Sequence, residues 1–360
     1  MERRNFLKLT GFSALILMLP LLRCVQRVKS PHTPNFIILF CDDLGYGDLS
    51  CYGHPTLKTP NLDKMAQEGM KFTQFFVGAS ICTPSRAALL TGRYPIRSGM
   101  CSNTRGVLFP DSDGGLPQDE ITIARALKEK GYKTACIGKW HLGHLPPYLP
   151  TNHGFDYYFG IPYSNDMSPA QNDGEGARHF PPIPLLENEK TIKLEPDQNL
   201  LTKQYTEKAI SFINQHTNDP FFLYLPYTFP HTPLYASETF KGESKRGLYG
   251  DTVQEIDWSV GEILNTLKKK NLDKNTFVFF TSDNGPWLLR KNDGGSAGLL
   301  RAGKGTTWEG GMREPAIAWW PGEIARSTIC DALCCTMDLF TTILSLANVP
   351  RYQMIELSME

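Results

Sequence analysis

The chain has 360 residues, 41% hydrophobic and 21% charged, ordinary proportions for a soluble globular protein and enough length for one large α/β domain or two small ones. Thirty-seven basic side chains balance thirty-seven acidic ones, so no global field draws the chain to nucleic acid or an anionic membrane, and anion selectivity must come from a local site. The nine cysteines are odd in number and scattered, unlike the even, regular set of a disulfide scaffold.

In chain order, the first feature is an apolar run over residues 11–22 behind Glu2-Arg3-Arg4-Asn5-Phe6-Leu7-Lys8. It is too short to span a bilayer but suits the core of a signal segment. The paired arginines resemble a twin-arginine export signal, with Glu2 where Ser or Thr is usual. Residues 1–30 are therefore expected to direct export to the periplasm or another extracytoplasmic space; the alternative is an uncleaved anchor. Cys24 follows Arg23, which sits badly in a lipoprotein cleavage site.

Residues 35–41 form a continuous apolar run, fit for a strand buried on both faces. Thr59 and Pro60 read as N-cap and first turn of a helix that stops at Gly69. A short strand is expected over 72–77, and Pro84 opens a helix running to Gly92. A helix over 121–130 precedes a strand over 133–137. A helix over 201–216 precedes a strand over 221–227, and a long amphipathic helix covers 251–270. Strands follow over 277–281 and 316–320, the last expected. Residues 160–200 read as irregular, and 285–312 as a Gly-rich loop. Cys330, Cys334 and Cys335 would share one helical turn as packed thiols, since no His pair accompanies them at zinc spacing. This alternation is that of an α/β domain, residues 33–350, with a mostly parallel central sheet flanked by helices.

The polar residues of interest fall just after strands, where open parallel sheets place ligands. Asp42 and Asp43 follow the first strand, Lys139 and His141 the strand ending at Ile137, His231 the strand ending at Tyr227, and Asp283 and Asn284 the strand ending at Thr281. Adjacent carboxylates repel unless a cation lies between them. Asp42, Asp43, Asp283 and Asn284 make an all-oxygen set that suits Ca²⁺ and, less specifically, Mg²⁺. Asp42-Asp43 alone would read as a solvated turn; the matching Asp-Asn after a second strand argues otherwise. Cys82 sits where a helix start offers free backbone N–H groups to an anion. Spacing alone leaves it open between a low-pKa thiolate nucleophile and a buried thiol. His54, His144, His153, His179 and His216 read as packing or surface residues. Trp287 and Trp308 could line a pocket or pack at its rim.

Cys82-Thr83-Pro84-Ser85-Arg86, continued by residues 87–93, resembles the sulfatase motif, whose cysteine is oxidised to Cα-formylglycine. Residues 131–143 resemble the family's second motif, and Asp42-Asp43-Leu44-Gly45 and Thr281-Ser282-Asp283-Asn284-Gly285 also match. Gly160-Ile161-Pro162-Tyr163-Ser164 resembles the arylsulfatase A branch. The resemblance covers roughly residues 33–350. It implies the alkaline phosphatase-like fold and a hydrolase of aryl or carbohydrate sulfate esters. Its nucleophile would be the hydrated formylglycine at 82, beside Ca²⁺ on Asp42, Asp43, Asp283, Asn284 and residue 82 itself. It implies that Lys139, Lys304 and His231 hold sulfate charge, and that Arg86 holds the diol and its helix. Asp283 would take a proton from the attacking hydroxyl, and His231 or Lys304 would protonate the leaving oxygen. His141 would deprotonate the second hydroxyl to expel sulfate. Ser164 would bond His141 or the sulfate. A formylglycine-generating maturation enzyme is an implied partner.

Residues 351–360 do not resemble the family's continuation and are expected to be an aberrant or truncated tail, standing where the smaller C-terminal domain usual in sulfatases would begin; a truncated or frameshifted gene and a fragmentary record are the two explanations. A sheet edge left uncovered in this way is an aggregation risk, so an early, poorly cooperative melt is expected. Two other functions compete: phosphate or phosphonate ester hydrolysis on the same scaffold, and binding of sulfated glycan without turnover. The filled metal and nucleophile positions argue against the last.

Overall fold

The computed structural model describes residues 33–102, 104, 106–171 and 179–350. The signal-like segment, Cys24 and the tail 351–360 lie outside the described residues.

Twelve strands occur among the described residues. They are β1 (Asn35–Cys41), β2 (Met70–Phe72), β3 (Phe75–Phe76), β4 (Lys133–Ile137), β5 (Tyr157–Gly160), β6 (Pro184–Glu187), β7 (Lys190–Leu194), β8 (Phe221–Pro226), β9 (Thr276–Ser282), β10 (Ala316–Trp319), β11 (Thr328–Cys330) and β12 (Cys334–Cys335). Ten form one sheet in the order β11-β2-β10-β9-β1-β8-β4-β5-β6-β7. Its centre, β9-β1-β8-β4-β5, is parallel throughout. β10 joins β9 antiparallel on one side, and the β6–β7 hairpin joins β5 antiparallel on the other.

The apolar run of β1 is explained by what covers each face. Ile37 and Leu39 enter one core with Tyr205, Phe212, Ile256, Val260 and Ile263, from the helices Leu201–Gln215 and Gly247–Lys269. Phe36, Ile38 and Phe40 enter the opposite core with Leu89, Leu90, Leu127, Phe340 and Ile343, from the helices Cys82–Thr91, Ile123–Lys128 and Asp338–Leu346. A strand apolar on both sides is stable only when both are covered. Each such side chain contributes about 1.5–3 kcal/mol by leaving water.

Several expectations need correction. Residues 160–200 are not all irregular: they carry the β6–β7 hairpin, whose second strand is exposed throughout, Ile192 and Leu194 included, and is only five residues long. The strand expected over 72–77 is two short strands, β2 and β3, in different sheets. β10 is not the last strand, because β11 pairs with β2 and β12 with β3. Cys330, Cys334 and Cys335 therefore lie on two strands, not on one helical turn. The helix Asp338–Leu346 was not foreseen. The long helix begins at Gly247, one turn before 251.

Thr59 stands at the N-cap position of the helix Pro60–Glu68 but does not cap it with its side chain. Its hydroxyl is engaged with Ser50 instead. Asp257 of the long helix takes the capping role, accepting from the backbone N–H groups of Asn61 (3.2 Å) and Leu62 (2.8 Å).

Candidate active site

The parallel centre of the sheet delivers its C-terminal ends to one edge. Reading across β9, β1, β8, β4 and β5, the residues just beyond are Asp283 and Asn284, Asp42 and Asp43, His231, Lys139 and His141, then Ser164. All are buried. The chain turns sharply there: Asp43 (φ 64°) and His141 (φ 59°) adopt left-handed backbone, a conformation that costs a non-glycine residue about 1–2 kcal/mol. Gly138 (φ 134°) lets β4 end against β8, since a Cβ there would lie 1.9 Å from the Pro226 carbonyl oxygen.

The helix Cys82–Thr91 enters beneath this edge. Ile81 at its N-cap is extended and offers no side-chain cap, so the first-turn N–H groups face the site unmasked by a cap. Cys82 occupies the first helical position and is 2% exposed. One turn on, fully buried Arg86 bridges the strand ends. Its Nε and Nη2 donate to Asp283 Oδ2 at 3.0 and 2.7 Å, and its Nη1 donates to the Lys139 carbonyl at 2.8 Å. Its Nη2 also lies 3.6 Å from Asp42 Oδ2.

Charge is matched pair by pair. Lys139 Nζ donates to Asp42 Oδ2 and, at 3.0 Å, to Ser164 Oγ. Lys304 comes from the Gly-rich loop, fixed by Lys304 N–H to the Pro286 carbonyl (3.0 Å) and Gly305 N–H to the Ser80 carbonyl (2.8 Å). Its Nζ lies 2.8 Å from Asp43 Oδ1 and 3.7 Å from Cys82 Sγ. Burial alone would raise the Asp42 pKa, but Lys139, His231, Arg86 and Lys304 together hold it far below the usual carboxylate range. Asp283 moves the other way, pushed up by burial and by Asp42 against the pull of Arg86. Burial pushes the Cys82 thiol up to about 12, although Lys139 and Lys304 pull it down. For the unmodified cysteine without a cation beside it, burial thus favours a neutral thiol over a low-pKa thiolate.

The two histidines differ in their attachments. His141 Nε2 bonds the Leu108 carbonyl at 2.9 Å, which makes Nε2 the protonated nitrogen. Its Nδ1 is buried without a partner. Burial, Lys139 and Arg86 keep it neutral. His231 Nε2 lies 3.7 Å from Asp43 Oδ2, and its Nδ1 is 3.2 Å from Asn165 Oδ1. Burial and Lys304 lower His231 to about 3. The Trp287 ring packs 5.5 Å from the His231 ring, and Lys304 Nζ lies 4.7 Å from the Trp287 ring centre.

A metal fits these residues. Donor atoms of Asp42, Asp43, Cys82 and His231 lie within 4.8 Å of one another. Asp42 Oδ1 and Asn284 Oδ1 are buried acceptors with no hydrogen-bond partner, and buried oxygens of this kind are what a hard cation satisfies.

The structure thus gathers all the residues singled out in sequence: Asp42, Asp43, Cys82, Arg86, Lys139, His141, Ser164, His231, Asp283, Asn284 and Lys304. Ser164 Oγ accepts from Lys139 Nζ. Asn165, Thr83 and Leu108 were missed. Thr83 Oγ1 donates to the His141 carbonyl and accepts the Leu108 N–H. Neither Thr83 nor Leu108 carries a titratable group, so only their neighbours' spacing pointed to them.

The family model described as Sulfatase matches residues 34–349. Bovine (Bos taurus) arylsulfatase A is 46% identical over 329 residues, covering 88% of this chain and 64% of that protein. N-acetylgalactosamine-6-sulfatase of Rattus norvegicus is 46% identical, covering 94% and 67%. The solved PsFucS1 sulfatase from Pseudoalteromonas sp. superposes with a TM-score of 0.79 at 33% identity, covering 90% and 69%. The chain therefore spans about two thirds of the length of these relatives.

Proposed function

The chain belongs to the sulfatase family, and from that premise we propose that it hydrolyses sulfate esters of aryl or carbohydrate alcohols. The observation that carries this reading is the placement of Cys82. It lies at an uncapped helix N-terminus, 3.7 Å from Lys304 Nζ, beside a carboxylate cluster with orphaned oxygens.

Ca²⁺ held by Asp42, Asp43, Asp283, Asn284 and residue 82 would polarise a sulfate oxygen and neutralise developing charge. Oxidation of Cys82 to formylglycine by a maturation enzyme would supply an aldehyde hydrate, which the neutral thiol cannot replace. The protein's own groups do the rest. Lys139 and Lys304 face the sulfate with fixed positive charge, each anchored to a carboxylate so that little reorganisation is needed on binding. Arg86 ties its helix to Asp283 and so fixes the distance between residue 82 and the strand ends. Asp283, raised in pKa, is suited to receive the proton of the attacking hydroxyl. His231 or Lys304 would deliver a proton to the leaving oxygen. His141, with Nε2–H tied to Leu108, offers Nδ1 to a proton at residue 82. Ser164 orients Lys139. The apolar run near the N-terminus supports export, with residues 1–30 as the signal and residues 33–350 as the catalytic unit.

Two measurements on protein from the native host test this. Mass spectrometry of the Cys82 peptide should show an aldehyde. Sulfate and phosphate esters of one phenol, assayed in parallel, should give the higher kcat/KM on sulfate. An unmodified thiol sinks the mechanism, and a preference for phosphate reassigns the substrate.

A further inference from the structure

We propose that Asn165 is a positioning residue that locks His231 in one tautomer, with the proton on Nδ1 and Nε2 turned to the reacting centre. Asn165 is fully buried and His231 is 3% exposed, so neither can exchange partners with water. The amide of Asn165 has only one orientation that satisfies its neighbours. Its Nδ2 donates to the Pro233 carbonyl at 2.9 Å and to Gln198 Oε1 at 3.0 Å. A backbone carbonyl only accepts, so the NH₂ group must point that way. Oδ1 then faces His231 Nδ1 at 3.2 Å. Two acceptors cannot share that contact, so Nδ1 carries a hydrogen. The Gln198 side chain returns a bond from Nε2 to the Asn165 backbone carbonyl at 3.4 Å, which ties the two residues together at a second point.

Proton traffic at His231 is thereby confined to Nε2, the nitrogen 3.7 Å from Asp43 Oδ2. To serve the leaving oxygen, Nε2 must first take up a proton from solvent, giving an imidazolium whose Nδ1–H stays on Asn165 Oδ1; a ring free to flip would spend part of its time with the wrong nitrogen toward that oxygen, and a pre-set ring avoids the loss. The sequence places Asn165 directly after Ser164, at the end of the β5 segment, so one strand end orients both Lys139 and His231.

The catalytic consequence rests on the sulfatase reading; the tautomer does not. The test uses the whole chain labelled with ¹⁵N-histidine, the His231 signal being identified by its loss in His231→Gln. The unsubstituted protein should show a protonated, pyrrole-type Nδ1 and a pyridine-type Nε2 at His231. Asn165→Leu, similar in shape but without the acceptor, should give mixed tautomers. Its kcat on an alkyl sulfate should fall on the order of tenfold with KM little changed. On a nitrophenyl sulfate, whose leaving oxygen needs less help from a proton, kcat should fall less. A pyridine-type Nδ1 in the unsubstituted protein overturns the proposal, as does an equal loss on both esters. If no sulfate ester is cleaved at all, the functional reading fails while the tautomer measurement still decides the role of Asn165.

Discussion

Arg86 Nη2 lies 2.7 Å from Asp283 Oδ2, and both side chains are fully buried. One ends a turn of helix and the other ends β9, so this pair fixes the helix that carries Cys82 against the sheet edge. A guanidinium suits the task because its fork reaches Asp283 with two N–H groups and still has Nη1 for the Lys139 carbonyl; a lysine offers a single point charge. Arg86→Ala strips buried Asp283 of two donors and drives it to bind a proton, since Arg86 is what pulls its pKa down; the lost bonds cost about 1–3 kcal/mol, and more where the carboxylate stays charged. Urea unfolding should show that loss, with Arg86→Lys in between. An unchanged midpoint for Arg86→Ala would refute the bracing role.

Asp257 caps a helix that is distant in sequence. The first-turn N–H groups of a helix need acceptors, and Thr59, the residue that local sequence nominates, is occupied by Ser50. Asp257→Ala should therefore cost about 1–3 kcal/mol, because the buried Leu62 N–H and the part-buried Asn61 N–H lose their partner. Equilibrium unfolding checks this; a loss confined to a few tenths of a kcal/mol would mean that water replaces the carboxylate.

The convergence of Asp42, Lys139, His231 and Asp283 was legible in the sequence because continuous apolar runs alternating with helices gave parallel strands, and parallel strands send their C-terminal ends to one side. Ser164 came only through resemblance, and its bond to Lys139 had no local signal. Asn165 was invisible because its role depends on Pro233 and Gln198, which are far along the chain. The β6–β7 hairpin was missed for a similar reason: its outer strand is short and exposed, so pairing with a neighbour, not burial, holds it. The cysteines at 330, 334 and 335 were misread because strands of three and two residues are too short to show a period.

His153 gives the stability a definite pH dependence. It is fully buried, packs 5.8 Å from the Trp140 ring, and neither ring nitrogen has a hydrogen-bond partner. Burial first, and then Arg125, lower its pKa from 6.5 to about 4. Between those values the unfolded chain binds a proton that the folded one refuses. Stability is thus fully present above about pH 6.5 and is lost as pH falls toward 4, by up to roughly 3 kcal/mol from this group. His153→Phe keeps the ring packing and removes the titration. The stability difference between the two proteins should shift in favour of the variant on acidification. A difference constant from pH 7.5 to 4 would show that His153 does not contribute.

The metal reading has a consequence for stability that does not depend on turnover. Asp42 Oδ1 and Asn284 Oδ1 are buried without donors, and each such group costs about 1–3 kcal/mol. A cation that binds only the folded chain removes that cost and stabilises it by mass action, about 2.7 kcal/mol when its concentration is a hundred times Kd. Ca²⁺ should raise the melting temperature, and a chelator should reverse the rise. Mg²⁺ should do less, because it demands stricter octahedral geometry and gives up water reluctantly. Asn284→Leu preserves the volume and deletes one ligand oxygen, so most of the Ca²⁺ increment should disappear. Without metal the variant should be less stable than the parent by about 1–3 kcal/mol, because Asn284 Nδ2 donates to Asp43 Oδ1 at 2.7 Å and to the Gly285 carbonyl at 3.0 Å, so the Ca²⁺ increment is measured within each protein. A parent chain whose melting is indifferent to Ca²⁺ would remove the metal from this site and leave Lys139, Lys304 and Arg86 as its only positive charge.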